Sequence, residues 1–193
     1  MRKTIVGVAV IAAVLALAGC SGGQKWETTN ITHVMPNLKF TLTRDNGKVV
    51  HADNFRGKVT MLYLGYTNCP DICPETLADI AHALHMLGPE ARQVRVLFVS
   101  VDPHRDTLPV LKKYTAAFGP QFIGLTGTQN QLRALAARYR EAYSYGPKYP
   151  KGNYVVNHGA GIYVFDKKGG ARLLMTYHDK SSAIAHDLKQ LLG

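Results

Sequence analysis

Residues 63–77 read Tyr63-Leu-Gly-Tyr-Thr-Asn-Cys69-Pro-Asp-Ile-Cys73-Pro-Glu-Thr-Leu77. An apolar run from Val59 to Leu64 leads into this stretch and Gly65 ends it. Leu77, Ile80, Ala81, Leu84 and Leu87 then follow at helical spacing. A short apolar run closed by glycine marks a buried strand, and the 3–4 spacing beyond it marks an amphipathic helix. The sequence therefore predicts a strand, a loop with two thiols, and a helix over 74–87. Residues before proline avoid the α region, which puts Cys69 and Cys73 in extended or turn backbone. Pro74 suits the first helical position and makes Cys73 the N-cap. A sulfur there faces unpaired N–H groups and the positive end of the helix dipole. That favours the thiolate, the form that attacks disulfides and binds soft metals. The other readings of the pair are a structural disulfide, two buried free thiols, or a zinc site, which needs further ligands.

The chain has 193 residues, 46% of them hydrophobic and 19% charged, as in an ordinary domain with short appendages. Residues 1–19 read as a secretory signal: Arg2 and Lys3 precede an apolar segment, Ile5 to Leu17, that is shorter than the about 20 residues of a membrane span. Leu17-Ala18-Gly19-Cys20 resembles the end of a bacterial lipoprotein signal, with Cys20 as the lipidated N-terminus; an uncleaved anchor is the alternative. Either reading exports the domain to the periplasm or cell exterior and ties it to a membrane. Cys69 and Cys73 are then the only thiols left, in a compartment where disulfides persist. The net charge of +10 becomes +8 once Arg2 and Lys3 are removed. In an exported protein this argues against nucleic acid and for an anionic lipid surface, an acidic partner, or a merely solvated basic face.

Residues 20–36 are polar and read as a lipidated tether, with Trp26 either docked or exposed; the domain is expected over 37–193. Leu38, Phe40 and Leu42 alternate with polar residues, and Asp45-Asn46-Gly47 turns the chain into Val49-Val50, a hairpin signal. Val94, Val96, Phe98, Val99 and Val101 form a second buried strand, ending in Asp102-Pro-His-Arg-Asp-Thr107 and a helix to about Phe118. A strand at Phe122–Leu125, a helix over 129–143 and an aromatic, basic loop over 144–153 come next. Strands at 161–166 and 171–177 and a helix from Ser181 to Leu192 close the chain. This order implies an α/β sheet with parallel central strands and a hairpin at one end. Ligands in such sheets bind beyond the carboxyl ends of the strands, where the thiol loop and the Asp102 turn should meet.

Two thiolates hold a metal poorly alone. His82, His85 and Met86 ride the first helix and His186 the last, as surface residues do; His33 and His51 lie in the tether and hairpin, and His178 is a candidate helix cap. His158 stands between the aromatic loop and a buried strand, with Gly159 and Gly161 allowing close backbone approach. It is either a third ligand or a core histidine.

Gly57-Lys58-Val59, Leu64-Gly-Tyr-Thr-Asn-Cys-Pro-Asp-Ile-Cys-Pro-Glu-Thr-Leu77, Val99-Ser-Val-Asp-Pro-His-Arg-Asp-Thr107 and Asn157-His158 together resemble the SCO/SenC family of membrane-tethered copper proteins, over residues 38 to 192. The resemblance implies a thioredoxin-like fold with an N-terminal β-hairpin extension. It implies copper, as Cu(I) or Cu(II), on Cys69, Cys73 and His158. It also implies a partner, the copper-site subunit of cytochrome c oxidase, with other copper chaperones or thiol reductants alongside. The protein would act as copper donor or, using Cys69 and Cys73 as a redox pair without metal, as thiol–disulfide reductase. Asn157 stands where the family usually has Asp, which removes a charge beside the histidine. The donor chemistry agrees, since two thiolates and an imidazole suit trigonal Cu(I). Three residues between the cysteines give a wider bite than a dithiol motif with two, and still permit a disulfide.

Overall fold

The two apolar runs lie side by side as β4 (Val59–Gly65) and β5 (Val94–Ser100), parallel and in register from Val59 opposite Val94 to Gly65 opposite Ser100. Every residue of β4 is buried. The computed structural model describes residues 25–147 and 154–193; the signal segment and Cys20 lie outside these. The other strands are β1 (Thr29–Asn30), β2 (Thr41–Arg44), β3 (Val49–His51), β6 (Phe122–Thr126), β7 (Tyr143–Tyr145), β8 (Val156–His158), β9 (Ile162–Phe165) and β10 (Ala171–Met175). The α-helices are α1 (Ile72–Leu87), α2 (Leu108–Ala116), α3 (Gln129–Arg138) and α4 (Ser181–Leu192). One sheet has the order β1-β10-β9-β4-β5-β6-β2-β3; β7 and β8 pair apart from it. The expected parallel centre is β4, β5 and β6, with antiparallel strands on both sides.

Alternation along β4 builds a core on each face. Val59, Met61 and Tyr63 point toward α1 and α4, joining Leu77, Ile80, Leu84, Ile184 and Leu188. Leu62, Leu64 and Tyr66 point the other way, toward Leu42, Leu132, Leu135 and Tyr139. Each fully buried aliphatic side chain contributes about 1.5–3 kcal/mol, so Leu77 and Ile80 alone hold α1 down firmly. The β2–β3 hairpin turns at Gly47, whose φ of +82° suits glycine, and Asp45 ties it to β6 through Gly124 N–H to Oδ2 at 3.1 Å.

Three expectations need correction. Helix α1 begins at Ile72, two residues before Pro74, with Asp71 as N-cap. First-turn N–H groups have no intrahelical partner, so proline is accepted there without loss, and Cys73 is helical. Helix α3 ends at Arg138, short of Tyr143. Arg140 adopts φ +57°, and Glu141 N–H bonds back to Ala136 O at 2.8 Å, a left-handed helix stop made without glycine. The freed residues form β7, which pairs with β8, so part of the expected loop is a hairpin carrying His158 at its end. Finally, the residues read as tether are docked from Trp26 onward. Asp187 Oδ2 accepts the Thr28 N–H at 2.8 Å and its hydroxyl at 2.7 Å, β1 pairs with β10, and Trp26 packs against the core beneath Arg172.

Candidate metal centre

Beyond the carboxyl end of β4 the chain leaves the sheet at Gly65. A Cβ there would sit 2.6 Å from Phe98 Cε2 and 3.0 Å from Cys73 Sγ, so only glycine lets the first turn of α1 close over the strand. The thiol loop is fixed from below by Asp106, whose carboxylate accepts the Thr67 N–H at 2.9 Å, the Thr67 hydroxyl at 2.6 Å and the Ser100 hydroxyl at 2.5 Å. The thiol loop and the Asp102 turn thus meet at one edge, as the strand order implies.

Both cysteines are free thiols. Cys69 is half-buried and Cys73 is 0% exposed. His158 reaches them from β8, with Nε2 3.4 Å from Cys73 Sγ. The Cys69 and Cys73 sulfurs and a His158 ring nitrogen lie within 4.8 Å of one another. His158 Nδ1 is 2.6 Å from Gly159 O, an atom that only accepts, so Nδ1 carries the proton and the Nε2 lone pair faces the sulfurs. Burial also lowers the histidine's pKa, which keeps it neutral and able to ligate. Its ring stands edge-on to Tyr66, at 5.8 Å and 88°.

Burial opposes the thiolate expected at Cys73 in the metal-free protein. Burial pushes this thiol up to about 12, against the opposing backbone bond at Tyr66 and the Tyr63 hydroxyl 3.6 Å from the sulfur. Desolvation outweighs the dipole because Cys73 faces the core and not the open end of the helix. The free N–H of the first turn serves the other sulfur: Cys73 N–H points at Cys69 Sγ, 3.5 Å away. A metal displaces a proton from any thiol it binds, so a buried, neutral Cys73 remains a competent ligand.

His33, His51, His82, His85, His178 and His186 are all exposed and stand outside the cluster. His178 does not cap α4, whose N-cap is Lys180. The loop reading of His158 gives way to a strand end, and its glycines have a specific purpose. A Cβ at Gly159 would meet the Glu141 carboxyl carbon at 2.9 Å, and one at Gly161 would meet Glu141 Oε1 at 2.8 Å. Sequence reasoning missed Glu141, Tyr63 and Tyr154; a tyrosine at alternate positions of a buried strand, as Tyr63 is, was the available signal.

The SCO1/SenC family model matches residues 31–193. The chain belongs to the SCO1/SenC family. Among solved SCO1/SenC structures, Bradyrhizobium japonicum ScoI with copper bound is 35% identical, with 80% of this chain and 98% of that one covered at a TM-score of 0.73. The apo Sco1 protein of Thermus thermophilus is 34% identical, with 89% and 99% covered at 0.76. The mitochondrial SCO2 homolog of Bos taurus is 38% identical over 132 residues, 67% of this chain and 50% of that protein. The chain spans about half the length of the mitochondrial relatives from Bos taurus and Saccharomyces cerevisiae, at 50% and 44%. The fold is thioredoxin-like α/β with the β2–β3 hairpin added at the sheet edge. The residues brought together, two sulfurs and an imidazole lone pair, are a donor set for a soft metal.

Proposed function

We propose that this protein carries one copper ion on Cys69, Cys73 and His158, outside the cytoplasm and tied to a membrane through Cys20, and serves assembly of the copper centre of cytochrome c oxidase. The observation that carries the reading is the convergence of three ligand atoms, from α1, its preceding loop and β8, within 4.8 Å. Copper is the cargo. The protein's part is to supply two soft donors and a neutral imidazole whose tautomer is already set by Gly159 O. Copper in the Bradyrhizobium japonicum relative supports the choice of metal.

A second reading has one observation in its favour: both cysteines are free and close enough to be drawn into one site, which also suits a thiol–disulfide reductase. Such an enzyme has no need of His158. Cu(I) competition against a chelator, run beside a thiol-exchange assay, separates the two. Cys69→Ser with Cys73→Ser should abolish copper binding. His158→Ala should weaken it about tenfold or more while thiol exchange continues. Copper affinity unchanged in His158→Ala would transfer the site to the reductase reading.

A further inference from the structure

The segment Asp102–Thr107 touches none of the three candidate ligands by any hydrogen bond described, yet it grips the chain on both sides of them. Asp106 holds Thr67, two residues before Cys69. Asp102 and Arg105 hold Tyr154, four residues before His158. Asp102 is 0% exposed and accepts the Tyr154 hydroxyl at 2.5 Å through Oδ1; its other oxygen takes Arg105 Nε at 2.5 Å. Arg105 in turn lies over the Tyr154 ring, with Cζ 3.6 Å from its centroid, and donates an Nη1 proton to Tyr154 O at 2.9 Å. Tyr145, on the paired strand β7, stands edge-on to Tyr154 and donates its hydroxyl to Val101 O at 2.6 Å.

This attachment matters because of where β8 lies. The β7–β8 pair is only three residues long on each side and is not hydrogen-bonded into the main sheet. A two-stranded ribbon of that size is not stable alone. Its position, and with it the position of the His158 ring, depends on what fastens it to the rest of the fold.

We propose that Asp102, Arg105 and Tyr154 form a clamp whose function is to hold His158 at the thiols; they are positioning residues for the third ligand. The inference rests on the reading of His158 as a ligand. A cation over an aromatic ring and two hydrogen bonds converge on Tyr154, and a charge pair ties together the two residues that make them; a site built to hold one ligand at a fixed point needs such convergence.

The test is a thermodynamic cycle on the full chain. Cu(I) affinity is titrated against a chelator for wild type, Arg105→Ala, Tyr154→Phe, His158→Ala, and Arg105→Ala with His158→Ala. The midpoint potential of the Cys69–Cys73 couple and the Cu(II) spectrum are recorded for each. Arg105→Ala should weaken binding about tenfold, shift the Cu(II) spectrum toward that of His158→Ala, and leave the thiol potential unchanged. In the His158→Ala background its effect should vanish, because the imidazole it positions is gone. Tyr154→Phe keeps the ring and loses the bond to Asp102, so it should show a smaller loss in the same direction even where Arg105→Ala folds poorly. If the losses add in the double variant, or if the two clamp variants bind copper as wild type does while His158→Ala does not, the clamp is refuted and His158 remains a ligand. If His158→Ala itself binds copper normally, the ligand reading falls and the proposal falls with it.

Discussion

Glu141 is a half-buried acid that the fold must accommodate. Its carboxyl lies in the elbow between α3 and β7, against Gly159 and Gly161, and Oε2 has no hydrogen-bond partner. Burial raises its pKa from 4.5 to about 7, with Tyr163 and the Gly161 backbone opposing the shift. The folded state then holds a proton that the unfolded chain has released between pH 4.5 and about 7. Stability falls as pH rises through that window and levels off above it. At about 1.4 kcal/mol per pH unit, the loss by pH 8 is about 2–4 kcal/mol. Glu141→Gln keeps the shape of the protonated acid and removes the titration. Denaturant unfolding of both proteins at pH 5, 6, 7 and 8 measures the difference. The variant should gain on wild type steadily from pH 5 to 7 and hold its advantage at pH 8. A difference independent of pH would show that Glu141 does not carry a proton in the folded state, and the reasoning would be wrong.

Gly65→Ala should cost about 1–3 kcal/mol, the usual range for overpacking, because Phe98 and Cys73 must both retreat; chemical denaturation and Cu(I) affinity should fall together. Asp187→Ala strands the Glu27 and Thr28 N–H groups and should cost about 2–4 kcal/mol, with protease cleavage near Trp26 as the first symptom. Burial alone would raise the pKa of Asp187, but bonds from Glu27, Thr28 and His186 lower it, so its contribution is present at neutral pH and lost as acid protonates it. Asp187→Asn should therefore flatten the acid limb of the stability curve. Cys20→Ala should release the protein from membranes or leave an uncleaved precursor, read by fractionation and mass spectrometry; an unmodified mature N-terminus at another residue in wild type would exclude lipidation there.

The central strands were legible because β4 and β5 are buried on both faces and read as nearly continuous apolar runs, broken only by Thr60 and Arg95, and α4 was legible from its spacing alone. The hairpin turn at Asp45-Asn46-Gly47 announced itself through glycine. The end of α3 did not, because Arg140 takes the left-handed position where glycine is usual, and Tyr139 and Tyr143 keep helical spacing past the stop. Cys69, Cys73 and His158 could be nominated from residue type and from the family likeness. The protonation of Cys73 could not, since it depends on which way the first turn of α1 faces, and that is decided by contacts with Tyr63 and Phe98 from other strands. Strand β1 was hidden for a related reason: two polar residues carry no pattern, and it is Asp187, from the far end of the chain, that fixes the segment in place.

The enclosure of Cys73 gives the dithiol a front and a back. Cys73 lies beneath Gly65 and Tyr63 with no solvent contact, whereas Cys69 is only half-buried. On the reductase reading, a client disulfide arriving from outside would meet Cys69 first and form its mixed disulfide there. Cys73, once it gives up its proton, would attack the Cys69 sulfur from the inside, expel the client thiolate and close the ring, so its burial slows this second step. The order of events is set by access alone: Cys69 is the door, and Cys73 is the latch behind it.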